Sequence, residues 1–208
     1  MLTRTAQTIL ALTALFSIAA CSVVGSEAAP EPDYTVVRAE EAFEIRDYGT
    51  LVVVKTPMAD GTRAAFGRLF DYISGENGGA REIAMTAPVL NADAADGAEI
   101  AMTAPVLQGG GDGREMIFIL PADLTLATAP LPSDPMVSLG EIEPRRVAVV
   151  RYSGSMDDNA DAEEARLREW MAENGLAPIG PAEVAGYNPP WTLPAYRRNE
   201  VLIPIADE

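Results

Sequence analysis

The sequence predicts an α+β fold made of two similar halves, and three observations carry that prediction. The order strand, strand, helix, strand, strand can be read twice along the chain. Within each reading, one segment repeats its apolar residues with a helical period among segments that alternate with period two. The 208 residues, 48 % hydrophobic and 22 % charged, have the length and composition of one globular domain. A duplicated ββαββ unit, forming a mixed sheet with two helices and a ligand groove between the halves, is the simplest architecture that satisfies all three.

Residues 1–21 stand outside that fold. Arg4 gives a positive start, and Ile9-Leu10-Ala11-Leu12-Thr13-Ala14-Leu15-Phe16 is an apolar core of secretory length. Ile18-Ala19-Ala20-Cys21 places small residues before the single cysteine and resembles a bacterial lipobox, in which the thiol of Cys21 is lipidated. Acyl chains there would tether the chain to a membrane at about 0.8 kcal/mol per buried methylene. Residues 22–33, SVVGSEAAPEPD, lack periodicity and read as a flexible tether. The folded part is expected over 34–208 as a single domain.

Phe43-Glu44-Ile45-Arg46-Asp47-Tyr48 alternates, Gly49 turns the chain, and Leu51-Val52-Val53-Val54 follows as a buried run. The two read as a hairpin. Gly61-Thr62 opens a helix whose stripe is Phe66, Leu69, Phe70 and Ile73, ended by Ser74-Gly75 and Asn77-Gly78-Gly79. Glu82-Ile83-Ala84-Met85-Thr86-Ala87-Pro88-Val89-Leu90 then recurs unchanged at Glu99 to Leu107. These are two extended segments, each forced by its proline to end, bulge or lie at an edge. Glu115 to Leu120 is a strand stopped by Pro121. The second half follows with strands at Met136 to Ile142 and Arg146 to Tyr152, and a helix from about Ala160 to Asn174 capped by Asp157-Asp158-Asn159. Leu167, Trp170 and Met171 mark the helix's buried stripe, and Gly175 its stop. Short strands at Val184 to Tyr187 and Val201 to Ile203 flank a Pro-rich loop.

Composition excludes several functions. Fifteen basic against thirty-one acidic residues leave a net charge of −16, which repels nucleic-acid phosphates. The absence of histidine removes Ser-His-Asp and Cys-His catalytic sets and His-ligated zinc. One cysteine rules out an internal disulfide. Asp93, Asp96 and Glu99 match no calcium loop, and Gly109 to Gly113 lacks the Lys-Ser/Thr of a phosphate loop. Glu164 and Arg168 form an i, i+4 pair on a wet helix face. No nucleophile stands with a credible base, so an enzyme is not expected. A hydrolase on the same scaffold would have to draw on Glu44, Glu82, Tyr48 and Tyr152.

Three segments, in order, resemble the SOUL heme-binding family over roughly residues 34–205. They are Ile83-Ala84-Met85-Thr86-Ala87-Pro88-Val89, then Phe118-Ile119-Leu120-Pro121 with Pro130-Leu131-Pro132-Ser133-Asp134-Pro135, then Tyr187-Asn188-Pro189-Pro190-Trp191-Thr192-Leu193-Pro194 running into Arg197-Arg198-Asn199-Glu200-Val201. The resemblance implies a distorted α+β barrel of two pseudo-symmetric halves, similar to the ligand domains of multidrug-responsive regulators. It also implies heme or another tetrapyrrole as ligand, here without an axial histidine and without a bound metal ion otherwise. Met58, near the first helix, is the candidate iron neighbour by analogy. Phe66, Phe70, Tyr72, Tyr187 and Trp191 are candidate aromatic faces. Arg197 and Arg198, with Arg145 and Arg146, are candidate partners for propionates. Set against this, Phe66 and Phe70 sit on the buried stripe, Tyr187 and Trp191 flank a loop and should be partly exposed, and Met85 and Met102 suit a core. The arginine pairs could instead balance Glu141, Glu143 and Glu200.

The expected protein is a monomeric, membrane-tethered binder of heme or a similar flat apolar molecule, with no nucleic acid as partner. It would sit in the cell envelope, lipid-anchored and facing the periplasm or exterior, and Ser22 after Cys21 favours the outer membrane. The alternatives are a small-molecule hydrolase using the same groove, or a structural or interaction lipoprotein without a ligand.

Overall fold

The structure is a computed structural model that describes residues 30–79, 81–93, 114–188 and 192–206. Cys21, Met102 and Trp191 lie outside the described residues, as does the second copy of the nine-residue repeat. The strands are β1 (Tyr34–Glu40), β2 (Phe43–Tyr48), β3 (Leu51–Pro57), β4 (Val89–Asp93), β5 (Arg114–Ile119), β6 (Ser138–Ile142), β7 (Arg145–Tyr152), β8 (Glu183–Gly186) and β9 (Asn199–Ile205). Helices α1 (Thr62–Ile73) and α2 (Met156–Glu173) follow β3 and β7. All nine strands join one sheet, in the order β1-β2-β7-β9-β8-β4-β5-β3-β6, which curls into a half-barrel.

Every pairing is antiparallel, which corrects the expected mixed sheet. The reason lies in the helical connections. Each returns the chain parallel to the strand it left but one position too far, and the next strand turns back into the gap. Thus β5 separates β3 from β4, and β9 separates β7 from β8.

The expected hairpin of β2 and β3 does not form either. β2 pairs with β1 and β7, whereas β3 pairs with β5 and β6. An alternating run and a buried β-branched run around a glycine turn describe a hairpin and a crossing between half-sheets equally well. The duplicated ββαββ plan is present, with each unit's first strand handed to the other unit. β2 completes the second half through β7, β6 completes the first through β3, and β4 against β8 joins them.

Both helices lie on one face of the sheet. α1 covers Val54, Met116 and Phe118 with Ala65, Leu69, Tyr72 and Ile73. Leu69 is fully buried, so its side chain contributes about 1.5–3 kcal/mol relative to exposure. Phe66 packs partly against this core, 5.4 Å from the Phe118 ring, while Phe70 is 45 % exposed. The expected stripe is therefore rotated, and Tyr72 takes the place assigned to Phe70. Its hydroxyl donates to Pro130 O at 2.8 Å, and burial pushes its pKa up to about 12.

α2 covers Ile45, Ala148, Val150, Val201 and Ile203 with Leu167, Trp170 and Met171, the expected stripe. It begins four residues before the expected Ala160, because Ser155 is the N-cap and Asp158 and Asn159 fall within the first turns. Gly175 ends the helix with φ 71°, a conformation that suits glycine. Glu164 Oε1 accepts from Arg168 Nε at 2.7 Å, as the i, i+4 spacing implies.

Candidate functional site

The face of the sheet turned away from the helices forms the inside of the half-barrel. Alternation along each strand decides what it carries. Val53, Ile117, Ile119 and Leu90 come from the first half, and Val147, Val149, Ala185 and Leu202 from the second, packed into one apolar floor. That floor is largely filled by its own side chains. A cavity of about 560 Å³ remains at one rim, lined by residues 30–35, 49–52 and 119–122 with Asp47, Thr86 and Leu124. Its volume falls within the range of about 300–1,000 Å³ usual for small-molecule sites.

A charged cluster borders the floor. Arg46 on β2 is fully buried and grips Glu200 on β9, with Nη1 to Oε2 at 2.7 Å and Nη2 to Oε1 at 3.0 Å. Its Nε donates to Glu44 at 2.6 Å. The Tyr187 hydroxyl donates to Glu200 Oε2 at 2.5 Å, and Arg198 donates to Oε1 from Nε at 3.1 Å and Nη2 at 3.0 Å. Arg151 reaches the same oxygen at 3.4 Å.

Burial pushes the Glu200 carboxyl up, but the Arg46 guanidinium, the Tyr187 hydroxyl and Arg198 together hold it below its ordinary value. Burial first, and the Glu200 charge second, push the Tyr187 phenol well above the usual tyrosine range. Burial opposes the charge on Arg46, yet Glu200 outweighs it and the guanidinium is more strongly protonated than usual. The cluster is thus a carboxylate, a neutral phenol and protonated guanidiniums. A second pair, Arg145 to Glu183 at 2.5 and 2.7 Å, lies beside the floor.

The start of the described chain crosses this face. Pro30 O accepts from Ala87 N at 3.0 Å, and Glu31 Oε1 accepts from Arg198 Nη1 at 2.6 Å. The Tyr34 ring lies 5.3 Å from that of Tyr48, with the Arg46 guanidinium 4.5 Å from its centroid. The last residues read as tether, 30–33, therefore lie against the fold, held there by the Pro30–Ala87 backbone hydrogen bond and the Glu31–Arg198 ion pair.

The residues picked from sequence do not gather in one place. Met58 is buried in the core under α1 with Phe66, and Phe70 is on the outer surface of that helix. Tyr187 is on the inner face and only 4 % exposed, against the expected partial exposure, because its hydroxyl is satisfied by Glu200. Arg198 stacks on the Tyr187 ring at 3.9 Å and pairs with Glu200 and Glu31, while Arg197 Nε donates to Thr192 O at 2.8 Å. Arg146 holds Asp47 at 2.7 Å. The balancing role weighed for Glu200 thus applies to Arg198. Met85 packs against the core under α1.

Arg46 and Glu31 were missed. The signal for Arg46 was its alternation phase, which places it with Tyr48 on an inward face. Glu31 carried no signal, since an acidic residue between prolines reads as linker. Among the described residues that line the cavity there is no histidine, cysteine or methionine, so iron would find no imidazole or sulfur ligand there. No group of three or more Cys, Asp or Glu side chains among the described residues could hold a metal ion.

The chain is thus an antiparallel half-barrel with two helices on its outer face and a cavity at its rim, an architecture that known proteins share. The model of the SOUL heme-binding protein family matches residues 29–204, and the chain belongs to that family. Among solved structures, the EcmrR C-terminal domain aligns with a TM-score of 0.54 at 12 % identity, over 84 % of this chain and 99 % of that one. A structure described as a hydrolase from Listeria innocua aligns with a TM-score of 0.50 at 12 % identity, over 86 % and 94 % of the two chains. At such identities the likeness concerns the fold alone. No curated protein matches the chain in sequence.

Proposed function

We propose that this SOUL-family chain is an envelope-tethered binding protein for a flat apolar small molecule, heme or a related tetrapyrrole, held without histidine ligation. The observation that carries this is the 560 Å³ cavity at the rim of the half-barrel, in a fold whose family is heme-binding. With no histidine in the sequence, apolar contact has to supply most of the affinity. The tether reading rests on Cys21 behind Ile18-Ala19-Ala20, with the lipid placing the domain at a membrane that Ser22 suggests is the outer one. The domain is proposed to act as a monomer.

Turnover is not part of this reading. On the inner face, the buried carboxylate and phenol that meet, Glu200 and Tyr187, are both committed. Each Glu200 oxygen accepts from a guanidinium, and the Tyr187 hydroxyl donates to Glu200. A general base needs a free lone pair within reach of its substrate.

Titration of the full chain with hemin, followed at the Soret band, tests the proposal. Saturable one-to-one binding in the micromolar range is expected, with a spectrum lacking a histidine-ligated signature. Absence of saturable binding overturns it.

A further inference from the structure

We propose that residues 30–34 are a strap that occupies the ligand cleft as a built-in competitor, and that the ligand which displaces it is a flat apolar ring system bearing a carboxylate. This deepens the binding role proposed above and rests on it.

The strap lies across the cleft, with Glu31, Pro32 and Tyr34 half-buried against the fold and Pro30 and Asp33 exposed. Pro32 closes a remnant of only about 10 Å³ over Tyr48, Leu51, Pro88, Leu90, Ile119 and Leu202, with Arg145 at its edge. The rim cavity shares Pro32, Leu51 and Ile119 with that remnant, so the two spaces adjoin, with Pro32 of the strap lying against both. Next to the ring of Pro32, the Glu31 carboxylate reaches Arg198 at 2.6 Å. An apolar ring and a carboxylate side by side, one on the floor and one on an arginine, are the chemistry the cleft accepts.

Charge points the same way. Glu31, Asp33 and Asp47 are the acidic residues lining the rim cavity, and the first two ride on the strap. With the strap in place the lining repels an anion, and its departure removes two of the three carboxylates. In the cluster beneath, the Arg46, Arg151 and Arg198 guanidiniums face the Glu44, Glu200 and Glu31 carboxylates. Loss of Glu31 takes away the carboxylate that Arg198 Nη1 holds at 2.6 Å beside its contact with Glu200. A ligand carboxylate can take that place on Arg198, and a neutral ring cannot. Closure therefore lowers the apparent affinity by the fraction of chains whose cleft is open.

The experiment uses the full chain carrying Cys21→Ser and Pro32→Cys, so that one thiol reports on the strap, with and without Glu31→Gln. Labelling by a disulfide dye is expected to be slow with Glu31 present and about tenfold faster with Glu31→Gln. Equal rates overturn the strap. In parallel, fluorescence titration compares mesoporphyrin with its dimethyl ester, the same ring without free carboxylates. Both rings are expected to bind the Glu31→Gln chain more tightly, by about tenfold, because both gain the open cleft, and mesoporphyrin is expected to bind about tenfold more tightly than the ester to the same chain. Equal affinities of acid and ester for the Glu31→Gln chain overturn the carboxylate. If neither porphyrin binds either chain, the ligand reading and the ligand class fall together, and the labelling rates still judge the strap by themselves.

Discussion

Arg46 and Glu200 stand 154 positions apart in sequence and share two hydrogen bonds with almost no solvent. Taking one partner from a buried pair leaves an uncompensated charge, a loss of about 3–5 kcal/mol. Glu200→Gln is therefore expected to lower unfolding stability by about that amount in a denaturant titration. The pH dependence follows from the same atoms. A carboxyl held below its ordinary value stabilises the fold above the usual carboxylate range and loses that contribution as pH falls through its folded value. A phenol held above its ordinary value stabilises below about pH 10 and loses that contribution as pH rises further. The thermal midpoint should show a plateau between roughly pH 5 and pH 9 that falls on both sides, with the acid shoulder diminished in Glu200→Gln. The sequence showed Glu200 as a neighbour of Arg198, since they are two residues apart. It could not show Arg46 as a partner, because that contact exists only once β2 has been placed two strands from β9.

At the level of elements, the helices were legible and their outward faces less so. Leu69 and Phe70 belong to one apolar stripe by spacing, yet only Leu69 is sealed under the sheet. Leu69→Ala should cost about 2–5 kcal/mol in the same titration. Phe70→Ala should cost clearly less, since Phe70 is 45 % exposed and loses partial burial and a 6.0 Å stack on Phe66 worth about 0.5–1.5 kcal/mol. Comparable losses would contradict the packing of α1. The strands were legible by alternation, and β4 begins after Pro88, as a proline in a ladder requires. Their partners were not legible, because pairing in this sheet is decided between segments far apart in the chain. The strand β1 escaped notice for a related reason. Six of its seven residues are exposed, so it lacks the apolar alternation that marks the others.

For the molecule as a whole, the net charge of −16 sets how a ligand arrives. A dianionic tetrapyrrole gains nothing from long-range attraction, and salt screens the repulsion it meets. Hemin affinity is therefore expected to hold or rise between low and physiological ionic strength, as read by Soret titration at several salt concentrations. A steep fall would mean that surface cations drive capture. The twofold plan of the fold could be read from the order of elements, while the trade of β2 for β6 between its halves could not. That trade has a consequence for descent. A gene for the segment from β6 to β9 alone would encode a piece in which β7 keeps β9 but lacks its second neighbour, and in which β6 is spare. Two copies of such a piece could each lend the other the missing edge and meet across a β8 seam. The present chain has the topology left behind when a swapped homodimer is fused into a single polypeptide.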